Sequence, residues 1–159
     1  MGAWYGDPDE LDRIAAGLRA KAALVRDGAA AHETRGRAAR WVSDGAAAYR
    51  EQLSRDRAGV ERRAAEIEHA AALLNAHADE VRQALAAIAR IERQVTEWFA
   101  DQRKSLLDRA ESVVDTAGRV LRSIDVPWEN WKFGPENLPA PGDRQWLEVG
   151  RFMSRQGAL

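Results

Sequence analysis

The stretch Trp41-Val42-Ser43-Asp44-Gly45-Ala46-Ala47-Ala48-Tyr49 decides the fold of this chain. It is the one plausible break between two long helical patterns. Ser43 and Asp44 are capping residue types, and Gly45 favours a turn. Tyr49 follows Trp41 by eight residues, a little over two turns of helix. That spacing sets a large ring on each side of a turn, where the pair can wedge two antiparallel helices together.

Upstream, Asp7-Pro8 reads as a helix start, with aspartate as N-cap and proline at the first helical position. Asp9 and Glu10 then suit the positive end of the helix dipole. Trp4 and Tyr5 precede this start and are expected to fold back onto the helices. The first helix is predicted over 9–40. Leu11, Ile14, Leu18, Ala22, Val25, Ala29 and His32 recur in steps of three and four and form one apolar stripe. Gly17, Gly28 and Gly36 weaken this helix, by up to ~1 kcal/mol each relative to alanine. Close helix approach is the expected compensation.

Downstream the pattern is more regular. Leu53, Val60, Ile67, Leu74, Val81, Ile88 and Val95 recur every seven residues. A second row holds Ala64, Ala71, Ala78 and Leu85, then Phe99, Leu106, Val113 and Val120, with Glu92 interrupting it. A strict heptad means left-handed coiled-coil packing, and the alanine row allows a close partner. No proline lies between Pro8 and Pro127. Two readings follow. Either one helix runs from about 45 to 124, or it breaks near 100–105 and a third helix folds back. The first helix is too short to cover the apolar face from Leu74 to Ile124. That stripe needs cover from a third helix of its own, a second copy or a different chain, and it is the main reason to expect a partner.

From Val126 the character changes. Pro127, Pro135, Pro139 and Pro141 exclude a continuous helix, and Trp128, Trp131, Phe133 and Trp146 make the segment too aromatic for a disordered linker. The reading is an extended arm over 126–159 that docks its tryptophans on the helices or on a partner. The spacing of Trp146, Val149 and Met153 predicts a short helix over 144–154. The expected architecture is all-α: a helical hairpin and coiled coil over 1–125, followed by this Pro/Trp-rich arm.

Composition narrows the function. The chain has 159 residues, 24 basic and 25 acidic, with a net charge of −1 and no cysteine. Thiolate chemistry, disulfides and Cys-based zinc sites are excluded. No global field favours nucleic acid or a membrane. No apolar run approaches the ~20 residues of a membrane span, and residues 1–12 lack the basic start and apolar core of a signal peptide. His69 and His77 are eight apart, not at the spacing that puts two imidazoles on one metal. His32, on the apolar stripe, reads as an interface histidine. The arginines around the turn are interspersed with acids and read as ion pairs at helical spacing. With no phosphate loop, nucleophile elbow or paired-carboxylate site, and no cofactor implied, the reading is a non-enzymatic protein.

The turn resembles the WXG family of small helical-hairpin proteins exported by type VII secretion systems of Gram-positive bacteria. Trp41 matches the family tryptophan, Ser43 stands where glycine is usual, and Ala46, Ala47 and Tyr49 match the alanines and aromatic that follow. The resemblance covers the first half of the chain. It implies a secreted substrate, or the pairing partner of an effector, that leaves the cytoplasm without a classical signal. It further implies a homodimer, or a heterodimer with a related helical protein or a toxin. The family's Tyr-x-x-x-Asp/Glu signal has no match after the second helix. Tyr5-Gly6-Asp7-Pro8-Asp9 fits the letters at the wrong end. The alternatives are a cytosolic chaperone or scaffold for a secreted client, and the helical leader of a toxin. The candidate partner interface is Leu18, Val25, Trp41, Ser43, Gly45, Tyr49, Leu74, Val81, Leu85, Ile88, Trp128 and Trp131.

Overall fold

A computed structural model describes residues 6–117 and 126–159, with side chains up to residue 109 in the first of these stretches. The described residues form three helices and no strand: α1 (Pro8–Ala38), α2 (Asp44–Ala117) and α3 (Trp146–Arg155). The expected positions of Trp4 and Tyr5, the seam side chains Val113 and Val120, and a helix end at 124 lie outside the described residues. Of the two readings of the second pattern, the single helix holds: α2 passes through 100–105 without a break. The chain divides into two compact units, Asp7–Arg82 and a second formed mainly by Gln83–Leu159.

In the first unit α1 starts as its sequence dictates. The Asp7 carboxylate accepts from the Asp9 amide at 2.9 Å, with Pro8 at the first helical position. α2 starts on Ser43, whose hydroxyl accepts from the Ala46 amide at 3.1 Å. Gly45 therefore lies inside the first turn of α2 rather than in the connection. The α1 and α2 segments pair in opposite directions. Arg37 bonds Ser54, Arg57 bonds Glu33, Arg26 bonds Glu61 and Glu68, Arg19 bonds Asn75, and Arg82 bonds Asp9 and Asp12.

The seam between them is made of small residues. Ala15 and Ala22 of α1 and Ala46, Ala64, Ala71 and Ala78 of α2 are buried, with Leu53 and Val81 closing the row. Gly36 sits at the tight end, where an added Cβ would collide with Leu53 Cδ1. Gly17 and Gly28 face open space, so close approach compensates for one of the three glycines and not for the others.

The α1 stripe read from the sequence is rotated from the one observed. Ile14 is 45% exposed and Val25 47% exposed, and His32 is also exposed. Ala15 and Glu33 take the buried positions instead. The reason is size: a seam this close admits alanine and excludes Ile14 and Val25, which a hydrophobicity count ranks higher. Glu33, 8% exposed, is compensated as a buried charge must be. It accepts from Arg57 Nη1 and Arg37 Nη2, both at 2.8 Å, and from the Ser54 hydroxyl at 3.1 Å. These bonds, Arg57's first, hold its carboxyl down at about 2.

In the second unit residues 126–159 do not form an open arm. They make successive turns and α3, and they fold onto α2. Ile88, Val95 and Phe99 of α2 share one core with Phe133, Trp146, Val149 and Met153. Trp146, Val149 and Met153 lie on one buried face of α3, as their spacing predicts. Gly150 belongs to the same contact, since a Cβ there would press on Ile91 at 2.9 Å. Trp146 Nε1 donates to the Ala140 carbonyl at 2.9 Å. The stripe expected to lie bare beyond the reach of α1 is thus covered, over residues 88–99, by the chain itself.

Two outcomes follow from this packing. Because Glu33 titrates lower folded than unfolded, its contribution is fully present above the ordinary carboxylate range and is lost as pH falls towards about 2. Melting by circular dichroism is expected to show this acid-side loss in the wild type and a smaller one in Glu33→Gln, which melts lower at pH 7. Gly17→Ala and Gly28→Ala are each expected to stabilise by up to ~1 kcal/mol, whereas Gly36→Ala destabilises. Denaturant titration of the three variants checks the contrast.

Candidate functional site

The predicted interface residues separate into three groups. Trp41, Ser43 and Tyr49 lie at the turn, with Gly45 at the start of α2. The Trp41 and Tyr49 rings touch, with centroids 5.7 Å apart and planes tilted by 39°. Trp41 is 58% exposed and stands outside the helix pair, while Tyr49, partly exposed, sets its ring edge against Gly36 of α1. Arg50 closes the turn, donating through Nη2 to the carbonyls of Ala39 at 3.1 Å and Trp41 at 2.9 Å. Val42 is fully exposed beside Trp41. The result is an apolar tip on a backbone fixed by hydrogen bonds.

A second group lies along one flank of the α1–α2 pair. Most of the bonds between α1 and α2 involve residues 12, 19, 26 and 33 on α1 and 61, 68, 75 and 82 on α2, each set a heptad repeat on one side of the alanine seam, with Arg57 and Ser54 adding to Glu33. This flank is polar and cross-linked. Asp12 and Glu68 are held below the ordinary carboxylate range there, Asp12 first by its bond from Arg82 and Glu68 first by its bond from Arg26.

Helical geometry puts residues 11, 18 and 25 of α1, and 60, 67 and 74 of α2, on the opposite flank. These are Leu11, Leu18, Val25, Val60, Ile67 and Leu74, half-buried apart from the exposed Val25. Ile14 adjoins them. Leu18, Val25 and Leu74 therefore fall on one open apolar face. Sequence reasoning missed the polarity of the other flank. The signal was present in the heptad spacing of Asp12, Arg19, Arg26 and Glu33.

The third group is buried or partly covered within the chain. Val81 is 3% exposed and Ile88 1%. The large apolar side chains at these seam positions have been covered within the chain. Leu85 is half-buried between them in sequence. Trp128 and Trp131 are half-buried in an aromatic cluster on α2. Trp131 stacks on Trp98 at 5.4 Å and 17°, and Trp128 meets Trp98 and Phe99 edge-on. Leu107, next to the predicted seam residue Leu106, is exposed.

Cavities among the described residues are open and shallow. One of about 330 Å³ is lined by Trp128, Trp131, Arg103 and Glu136. No group of three His, Cys, Asp or Glu residues among the described residues is placed to hold a metal ion, and no described helix is long and apolar enough to cross a membrane. No family model, curated protein or solved structure compared with the chain matches it.

The two tryptophan environments make opposite demands. Trp146→Ala is expected to cost about 3–5 kcal/mol, the usual range for a buried tryptophan, and to abolish the near-ultraviolet dichroism of the cluster. Trp41→Ala is expected to shift the melting midpoint little, by the equivalent of less than about 1 kcal/mol.

Proposed function

We propose that this protein acts by binding, as a WXG-like helical partner in a type VII secretion context, and that it is not an enzyme. Its partner, a second copy or a related helical protein or effector, packs on the flank carrying Leu18, Val25, Ile67 and Leu74. The observation that carries this reading is the asymmetry of the two flanks. One is fastened by Arg26, Arg82 and their carboxylates; the other presents apolar side chains in heptad register with no element over them among the described residues. Two helices exposing such a face suit two more, as in a four-helix bundle. The exposed tip at Trp41 and Val42 supports the export context, since a motif read by transport machinery has to be accessible.

Two measurements test the two halves of the proposal. Val25→Glu combined with Leu74→Glu is expected to weaken association by at least about a hundredfold, or about 3 kcal/mol, in sedimentation of the purified protein or of its co-purified partner. The helical content should not change, because both side chains lie outside the alanine seam. Unchanged assembly overturns the interface. Export is read by comparing culture filtrates of the native host with those of a strain lacking the type VII motor ATPase, against a lysis control. Motor-dependent appearance outside the cell is expected. Retention in both strains overturns the secretion context and favours a cytosolic scaffold.

A further inference from the structure

The groove where α3 crosses α2 carries a charge imbalance. Its walls are Arg90 and Gln94 of α2 and Arg151, Ser154 and Arg155 of α3, its floor is Ile91, Leu147 and Gly150, and Leu159 adds an apolar edge. Three arginines line it and no acidic residue does. Along the α1–α2 pair, by contrast, Arg26, Arg37, Arg57 and Arg82 all pair with carboxylates.

The acids nearest the groove accept their hydrogen bonds from other groups, although Glu148 still feels Arg151 and Arg155. Glu148, the one acid of α3, pairs with Lys132 Nζ at 2.6 Å. Its carboxyl is held below the usual range by that lysine first, and only then by Arg151 and Arg155. Glu92 of α2 accepts from the Gly142 amide at 3.2 Å. Arg90 has Ala86, Ala87, Arg93 and Gln94 as its helical neighbours, none of them acidic. The groove is also fixed in shape, because Gly150 lets α3 sit directly on Ile91.

We infer that this groove is a docking site for an acidic peptide segment of a protein partner, with an apolar side chain seated on Ile91 and Leu147 and flanking carboxylates held by Arg90, Arg151 and Arg155. Guanidinium groups bind carboxylates in bidentate fashion, and Gln94 and Ser154 add neutral hydrogen-bonding groups at the rim. The half-apolar floor favours a peptide over a nucleic acid, which would call for a longer basic track or stacking rings in the groove. The site is separate from the apolar flank of the first unit and does not depend on the export reading.

The test uses the full-length protein and a fluorescein-labelled peptide, Glu-Glu-Leu-Glu-Glu, followed by anisotropy. Saturable binding that weakens with salt is expected. The Arg90→Gln, Arg151→Gln, Arg155→Gln triple variant is expected to lose at least tenfold in affinity, while Arg62→Gln with Arg63→Gln, in the other unit, loses none. Near-ultraviolet dichroism of the tryptophan cluster checks that the triple variant stays folded. Arg151→Lys, which keeps charge without the planar fork, is expected to fall between wild type and triple variant. No binding, binding indifferent to the groove arginines, or tighter arginine-dependent binding of a labelled oligothymidylate would each overturn the proposal.

Discussion

The distance between two backbones governs this molecule. Ala15 and Ala22 facing Ala64, Ala71 and Ala78 bring α1 and α2 as close as side chains allow, and Gly36 continues the approach to its limit. An alanine seam buries little apolar area per residue, so on the usual area scale it contributes modestly by itself. What it supplies is proximity. Only at this separation can Arg26 span to both Glu61 and Glu68, or Glu33 collect bonds from Arg37, Ser54 and Arg57. A leucine seam would hold the same partners out of reach.

The same closeness explains why the large apolar residues stand aside. Leu18, Val25, Ile67 and Leu74 have no room between the helices and are pushed to a flank. The other flank is closed by charge. The pair is therefore two-sided in chemistry: one edge is complete within the chain, while the other presents apolar surface of the kind that proteins hold in reserve for contact. The second unit follows a different rule. It has no alanine seam and relies on rings, with Trp98, Trp128, Trp131, Phe133 and Phe152 meeting edge-on or stacked around α3.

Much of this was legible in the residues. Asp7-Pro8 and Ser43-Asp44 marked both helix starts; the heptad row of Ala64, Ala71 and Ala78 marked the buried seam of α2, and the row from Leu53 to Val95 is buried at Leu53, Val81, Ile88 and Val95 and half-buried between. Trp146, Val149 and Met153 marked α3. The α1 face was misread because Ile14 and Val25 outweigh Ala15 on any hydrophobicity scale, whereas the observed seam selects for smallness. The destination of Trp128 and Trp131 was not legible either. The sequence shows that tryptophans thirty residues beyond Trp98 need cover; it does not show that α2 itself provides it. The basic groove escaped for a related reason, since Arg90 and Arg151 are brought together only by the fold.

The cover over residues 88–99 comes from residues 128–153, and so from chain made later. Ile88, Val95 and Phe99 are synthesised well before Trp146, Val149 and Met153 exist to bury them. At ordinary elongation rates of ~5–20 residues per second, this apolar stretch waits for seconds without its natural cover. A product cut short anywhere before Met153 never acquires it. A stop or a clip in the 126–145 turns would leave α2 with a bare apolar face, so these turns are a condition of its good behaviour.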